Sequence, residues 1–451
     1  MKIHYGWIGN FISKIQEENS RFWRKCSDGQ RSLLFDPETK GKIKNQRITI
    51  IPSYLNDKLA KVKESYKIDN NVFDEPVSLT LISYFLPRFD RTSADFRLHK
   101  IINILLSNKC KINYIYCSKT PNDSKYLKAL NGDINFSYFR LNQKVYEEAV
   151  TEIAADYVFI TDLWRINYVK FLTKLTAKLR QQNSSLKIII DTIDFHYKEF
   201  IRKYELSKDG DDRSLAYKFL KNEKILYKIA DTVIVISEKE KEDIEKSILG
   251  IKDIKIIPNI HFINESPLPL AGRRNVCFVG NFGNKHNVDA VLYFIDNVFP
   301  LILEINPNIE FHIIGNRSEK YRKIFKAKNV RVIGFVKNLE KVLNYYRLFV
   351  CPMTYGAGMK GKIGMAAALG LPIVTTSIGA EGFPVKNGEE FFISDSPLDF
   401  ADKCNYCLTD QAVWQNLSIK SQLMIAENFS PVFVARKLAS IFARDKIECR
   451  I

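Results

Sequence analysis

Two runs of alternating strand and helix patterning, separated by one short break, constrain this chain more than any other feature of its sequence. The first run opens with strand patterning at 77–85 and helical spacing at 98–106. It continues through strands at 112–117 and 157–161, a helix at 168–181, a strand at 186–191, a helix at 214–229, and strands at 232–237 and 254–257. The second begins at 276–280 and runs through 310–315, 330–335, 348–352 and 371–375. Such alternation predicts an α/β protein with parallel sheets covered by helices on both faces. Between the runs, 261–273 carries Pro267, Pro269 and Gly272 and marks a linker. The expected organisation is an N-terminal extension of unknown role at 1–77 and a Rossmann-like domain at 78–260. A second Rossmann-like domain follows the linker at 274–430, and a helix at 431–451 is expected to return to the first domain. Open sheets of this kind bind ligands beyond the carboxyl ends of their strands, so two of them enclose a central cleft.

Composition narrows the function. With 46% hydrophobic and 26% charged residues the chain is globular rather than disordered. No apolar run reaches the roughly 18–20 residues of a membrane-spanning helix, and the first residues lack the apolar core of a secretory signal. A cytoplasmic protein is expected. Eight cysteines in 451 residues do not make a disulfide scaffold. Cys404 and Cys407 form a CxxC without a second pair or a nearby histidine, and read as packed helix residues rather than a zinc site. The formal charge of +17 calls for anionic partners. The basic residues are spread along the chain without a nucleic-acid-binding signature, which argues against specific nucleic acid and favours a nucleotide substrate and an anionic inner leaflet.

The most informative stretch is 352–376. A strand ends at Pro352, a glycine-rich loop follows, and an alanine-rich helix closes at Gly370. Gly356, Gly358 and Gly361 allow close backbone approach to a ligand, free N–H groups at the helix start favour an anion, and Lys360 and Lys362 add charge. This combination suits a diphosphate.

The stretch resembles the signature loop of family-4 glycosyltransferases with the GT-B fold, in particular a bacterial subgroup reading GAGxKGKI…GLPVVTTxIGAEG. Here GAGMKGKI stands at 356–363, GLPIVTT at 370–376 and GAEG at 379–382. VGNF at 279–282 with NVDAVLYF at 287–294, DRTSADFR at 90–97, DTIDFH at 191–196 and IPNIH at 257–261 extend the resemblance over 78–440. It implies two Rossmann-like domains, a nucleotide-sugar donor, a retaining reaction, and neither metal nor cofactor. It places Gly280, Asn281, Gly356, Gly358, Met359, Lys360, Lys362, Met365 and Glu381 on the donor. Two departures stand out. Ala357 and Met365 occupy the positions of the family's Glu-x7-Glu pair, and Asn281 and His286 those of its usual Arg and Lys. The one DxD-like run, Asp209–Asp212, falls in a polar stretch expected to be a solvated turn.

On the acceptor side, His196 follows a strand end and Asp162 follows its neighbour; both are candidate catalytic groups, with Asp162 able to hydrogen-bond an acceptor hydroxyl. Trp164 is a candidate to stack on a sugar face. Asp90, Arg91, Ser93 and Arg97 lie in the first strand-to-helix loop, where Arg91 is placed to hold an acceptor phosphate and Arg97 is alternatively expected to pair with Asp90 or Asp95. Lys170, Lys174 and Lys178, at four-residue spacing, suit a helix lying on anionic lipid, as well as an ordinary surface helix packed on the sheet. The reading is a glycosyltransferase acting on a surface-glycan or lipid-linked acceptor. A non-catalytic nucleotide-sugar-binding partner of another transferase and a nucleotide-sugar epimerase stay open as alternatives.

Overall fold

The computed structural model describes residues 58–60, 72–130, 132–141, 155–263, 270–356 and 358–442. Nearly all of the expected N-terminal extension, the linker core at 264–269, Ala357, and the end of the chain from 443 lie outside them. Every element below falls in the unit Ser53–Ile451.

The first half runs β1 (Ser78–Ser83), α1 (Ser93–Ser107), β2 (Lys111–Tyr116), α2 (Asp123–Ala129), β3 (Ile134–Tyr138), β4 (Tyr157–Ile160), α3 (Ile166–Gln182), β5 (Lys187–Asp191), α4 (His196–Ser207), α5 (Gly210–Ile229), β6 (Thr232–Val235), α6 (Glu238–Ser247) and β7 (Ile254–Ile256). The second runs β8 (Arg274–Val279), α7 (Lys285–Tyr293), α8 (Phe299–Ile305), β9 (Phe311–Ile314), β10 (Val330–Gly334), α9 (Leu339–Leu343) and β11 (Tyr346–Cys351). It continues with α10 (Gly361–Ala368), β12 (Ile373–Thr375), α11 (Ser377–Ala380), β13 (Phe392–Ile393), α12 (Pro397–Thr409), α13 (Gln411–Phe429) and α14 (Pro431–Phe442).

Among the described residues the strands form two parallel sheets, ordered β3-β2-β1-β4-β5-β6-β7 and β10-β9-β8-β11-β12-β13. The expectation of two parallel α/β layers is met, and the order explains where a ligand belongs. In each sheet the winding reverses between the first and fourth strands, β1/β4 and β8/β11, and the crevice outside that point is where open α/β sheets bind. The central strands are apolar on both faces, as burial between two helix layers requires: Leu79, Leu81, Ile82, Val158, Phe159 and Ile160 are fully buried.

Local chemistry sets the helix ends. Thr92 caps α1, its hydroxyl accepting from the Asp95 amide at 3.0 Å and donating to the Asp95 carboxylate at 2.8 Å. Gly370 ends α10 in the left-handed region at φ 63°, with the amides of Gly370 and Leu371 bonded to the carbonyls of Ala367 and Ala366. The Asp209–Asp212 run, expected in a solvated turn, starts α5 instead. Asp209 caps the helix by accepting from the Asp211 amide, and Asp212 pairs with Lys203 at 2.6 Å. Helix α3 also departs from the lipid-surface reading. Tyr168, Val169, Leu172, Leu175 and Leu179 bury its apolar side in the first domain's core, so no apolar face is left to enter a membrane. Cys404 and Cys407 are buried free thiols on α12. No helix among the described residues is long and apolar enough to cross a membrane.

Helix α14 leaves the second half and packs into the first. Val434, Ala435, Leu438 and Phe442 join the cluster built on β1, β2 and α1, and the Phe442 ring meets Tyr157 at 5.0 Å.

Arg97 is the buried pin of the first half. Its Nη1 donates to Asp191 Oδ2 at 2.7 Å, Nη2 to the Ile257 carbonyl at 2.7 Å, and Nε to the Pro258 carbonyl at 3.2 Å. The expected partner was Asp90 or Asp95; the actual one is 94 residues away, at the end of β5. Removing one member of such a pair leaves a charge buried without compensation. Arg97→Met is therefore expected to cost about 3–5 kcal/mol in denaturant unfolding. Combining it with Asp191→Asn should cost clearly less than the sum of the two single substitutions; strict additivity would show that the two groups do not act as a pair.

Candidate functional site

The residues of interest stand beyond the carboxyl ends of the strands at the two reversal points and of β5 and β12 beside them. From the first half come the loop after β1, with Asp90, Arg91 and Ser93; the end of β4, with Asp162 and Trp164; and the end of β5, with Asp194 and His196. From the second come Gly280 and Asn281 after β8, the glycine loop with Lys360 after β11, and Glu381 beyond β12.

The two halves meet through the glycines. A Cβ on Gly358 (φ 68°) would lie 1.8 Å from Asp194 Oδ1, one on Gly361 2.6 Å from Ser93 Cβ, and one on Gly364 2.1 Å from His261 Nε2. These three glycines, in and just before α10, thus leave room for Asp194 and Ser93 of the first half and for His261 at the edge of the linker. Arg202, on α4, completes the contact. Its Nη1 and Nη2 donate to Glu381 Oε2 and Oε1 at 2.8 and 2.7 Å, and Nη1 also donates to the Gly356 carbonyl at 2.9 Å.

Lys360 and Lys362 diverge. Lys360 is buried, donates to the Gly358 carbonyl at 2.6 Å, and is attracted by Glu381 and Asp194. Burial nevertheless lowers its pKa below the ordinary value. Lys362 points into the second domain, with its Nζ on Asn287 Oδ1 and 4.3 Å from the centre of the Phe278 ring; burial brings its pKa down to about 8. Asn287 in turn donates to the Asn281 carbonyl at 2.9 Å, so Lys362 braces the loop after β8. No side chain caps the first turn of α10, which leaves its leading N–H groups to a ligand. Met359 is buried beside Gly382, and Met365 lies half-buried on α10. Gly280 packs tightly under Gly315, whose Cβ would fall 1.9 Å from the Gly280 carbonyl oxygen.

On the other wall, His196 opens α4 and is buried against Phe219, rings stacked at 5.1 Å. Glu223 accepts the His196 and Tyr197 amides at 3.1 and 3.3 Å, capping α4 from α5, and lies 3.6 Å from His196 Nδ1, an ion-pair contact. Desolvation disfavours the buried imidazolium, but the Glu223 carboxylate prevails and raises its pKa above the ordinary value. Asp162 accepts from the Phe85 amide at 3.2 Å and from Trp164 Nε1 at 3.0 Å; burial pushes its carboxyl up to about 6. Trp164 is exposed, but the Arg165 guanidinium lies 4.0 Å from its centre, so one face expected for a sugar is already covered. Asp90 is held by Lys125 and by the Tyr126 hydroxyl at 3.0 Å. Arg91 is 51% exposed and 4.0 Å from Asp90, leaving it open to a ligand; Arg97 is not, being fully engaged in the core. Asp162 and Ile193 both have positive φ, 73° and 62°. For β-branched Ile193 this is strained backbone, placed where β5 turns into the cleft.

Sequence reasoning did not single out Arg202, nor Asp194 within its quoted DTIDFH motif. Arg202 carries no local signal, because its partners are 154 and 179 residues away.

Residues 273–410 match the family model described as glycosyl transferases group 1. A protein of the cps region of Klebsiella pneumoniae is 29% identical over 196 residues, covering 42% of this chain and 49% of that protein. The chain spans about half the length of the curated relatives it matches. Among solved structures, a sucrose-phosphate synthase from Thermosynechococcus elongatus superimposes with a TM-score of 0.62 at 16% identity, over 81% of this chain and 98% of that one. Anabaena HepE, solved with UDP and glucose, gives 0.61 at 13% identity, over 81% and 99%. These likenesses bear out the GT-B fold: two Rossmann-like domains, each with a parallel sheet.

Burial pushes Asp194 up to about 7, a rise that Glu199 supports and that His196, Lys360 and Arg97 only partly offset. The folded protein thus holds this proton far more tightly than an unfolded carboxyl at 3.8 does. The stabilisation from burying the neutral acid is fully present below about pH 4 and is lost as pH rises through about 7. Asp194→Asn should remove that loss, so the wild type's stability relative to the variant is expected to fall between about pH 5 and about pH 8. Chemical unfolding at the two pH values checks this; an unchanged difference would place the Asp194 pKa near the ordinary value.

Proposed function

From a chain with the GT-B fold and a glycosyl transferases group 1 region at 273–410, we propose a glycosyltransferase. It moves a sugar from a nucleotide-sugar donor to a surface-glycan or lipid-linked acceptor, with retention at the anomeric carbon and without a divalent metal. The observation that carries this reading is the cradle before α10. A buried cation, Lys360, and uncapped helix N–H groups stand together at the β8/β11 reversal, walled by Asp194 of the other domain. Breaking the bond from the sugar to the diphosphate builds negative charge on the leaving oxygens, and fixed cations and dipoles at that place stabilise it. Lys360 faces that charge, while Lys362 acts one step removed by bracing the Asn281 loop through Asn287. The acceptor hydroxyl bonds to the anomeric carbon and gives up its proton. Asp162, with its raised pKa, is our candidate to take it, and His196, whose pKa Glu223 raises against the opposing effect of burial, stands two residues on from Asp194. Arg91 is placed for an acidic group on the acceptor. Asp209 and Asp212 of the DxD-like run are occupied at α5, which favours the metal-free reading. The HepE complex makes UDP-sugars the first donors to try.

The expected outcome of a donor and acceptor screen is transfer that needs both substrates. Epimerisation without acceptor, or nucleotide-sugar binding without turnover, would assign one of the alternative functions. In the active pair, Lys360→Ala should cost about 10²–10³-fold in kcat, and prior chelation should change nothing. Turnover within a few fold of wild type in Lys360→Ala, or activity abolished by chelator and restored by manganese, would contradict the proposal.

Attachment to an anionic leaflet is kept as a charge-only contact, because α3 has no apolar face to insert. Lys170 and Lys174 are exposed, and each lysine near such a surface adds about 1 kcal/mol. Replacing Lys170, Lys174 and Lys178 with glutamine should lessen sedimentation with phosphatidylserine vesicles at low salt; wild-type protein that ignores those vesicles would end this reading.

A further inference from the structure

Arg202 occupies the most telling position in the cleft. Its guanidinium belongs to the first domain but sits at the mouth of the second domain's glycine loop, holding both oxygens of Glu381 and the Gly356 carbonyl. The Arg202 and Glu381 side chains are only 20% and 12% exposed. Lys360 flanks the same spot: a Cβ on Gly356 would lie 3.7 Å from its Cε and 3.8 Å from its Nζ. Glu381 is also the strongest attraction felt by Lys360. An anion is therefore already seated here, a two-oxygen group gripped by a guanidinium fork beside an ammonium. That geometry accepts carboxylate and phosphate alike.

The neighbouring loop explains why a cation is wanted. After β8, the usual basic residues are replaced by Asn281 and His286. The Asn281 side chain turns back onto its own loop, accepting from the Gly283 amide at 3.0 Å. His286 is kept neutral, its pKa lowered to about 4 by burial and by Lys362 and Lys360. Neither of these two residues supplies positive charge to a diphosphate.

We propose that Arg202 is a ligand of the donor's diphosphate, reaching across from the opposite domain, and that Glu381 holds its place until the donor displaces it. This rests on the donor reading given above. The missing cations of the β8 loop are replaced by one that is present only when the domains are closed. The carboxylate keeps Arg202 aimed and its charge compensated in the empty protein. The donor must compete with Glu381, so the apparent affinity is reduced by the fraction of time the clasp is shut.

Calorimetric titration of the full chain with inorganic pyrophosphate, and separately with UDP, GDP and ADP, tests this. Glu381→Gln keeps the side chain's shape but removes the competing charge and one of the two acceptor oxygens, and should tighten pyrophosphate binding at least about fivefold. Arg202→Gln should weaken it at least about tenfold. A purely structural clasp predicts the reverse pattern: both variants lower Tm, and neither changes the affinity for pyrophosphate, which would overturn the proposal. If Arg202→Gln does not fold, the direction of the Glu381→Gln effect decides alone. If pyrophosphate behaves as expected while no nucleoside diphosphate binds, the anion site stands and the donor reading falls.

Discussion

The buried pair of Arg97 and Asp191 sets the wall that the first domain presents to the cleft. Three of the guanidinium's hydrogen bonds run to the end of β5 and to the backbone leaving β7. The start of α1, the turn after β5 and the exit toward the linker are therefore registered against one planar group. Ser93 and Asp194, which meet the glycine loop, inherit their positions from it. A pair this deeply buried adds little net stability over a well-packed apolar alternative. Its effect is orientation, because a planar fork with several acceptors tolerates one arrangement.

That registration changes what the glycines mean. In sequence, Gly356, Gly358 and Gly361 look like room made for a ligand. In the folded chain, the spaces where Gly358, Gly361 and Gly364 would carry Cβ atoms are filled by Asp194, Ser93 and His261. Close approach of one domain to the other is at least as strong a reason for these glycines as close approach to a phosphate. The two reasons converge, since a site that needs groups from both walls needs the walls to touch.

How much of this was legible beforehand follows from the range over which each signal acts. Alternation of strand and helix is local, and the two parallel sheets followed from it directly. The turn at Gly370 was equally readable, because the demand for a left-handed residue is felt within two positions. Lys360 and Lys362 looked alike in sequence, and were separable only once α10 was seen to turn Lys362 toward Asn287. The capping role of Asp209 was missed because an aspartate in a polar run signals a turn and a helix start equally. Arg97, Arg202 and Glu223 were out of reach for a different reason. Their partners lie 26 to 179 residues away, and nothing in a short window says which carboxylate or amide will arrive.

Helix α14 has a consequence for how the chain is made. It follows the second domain in sequence but completes the core of the first, through Val434, Ala435, Leu438 and Phe442. A chain emerging from the ribosome therefore has the strands of the first sheet long before it has the segment that seals them. The later domain, whose helices end at Phe429, can close first. The usual order of domains folding from the amino end is inverted here. The β1–β2 face of the earlier sheet stays open until Pro431–Phe442 has been made, and in that interval its apolar residues lack the helix that covers them.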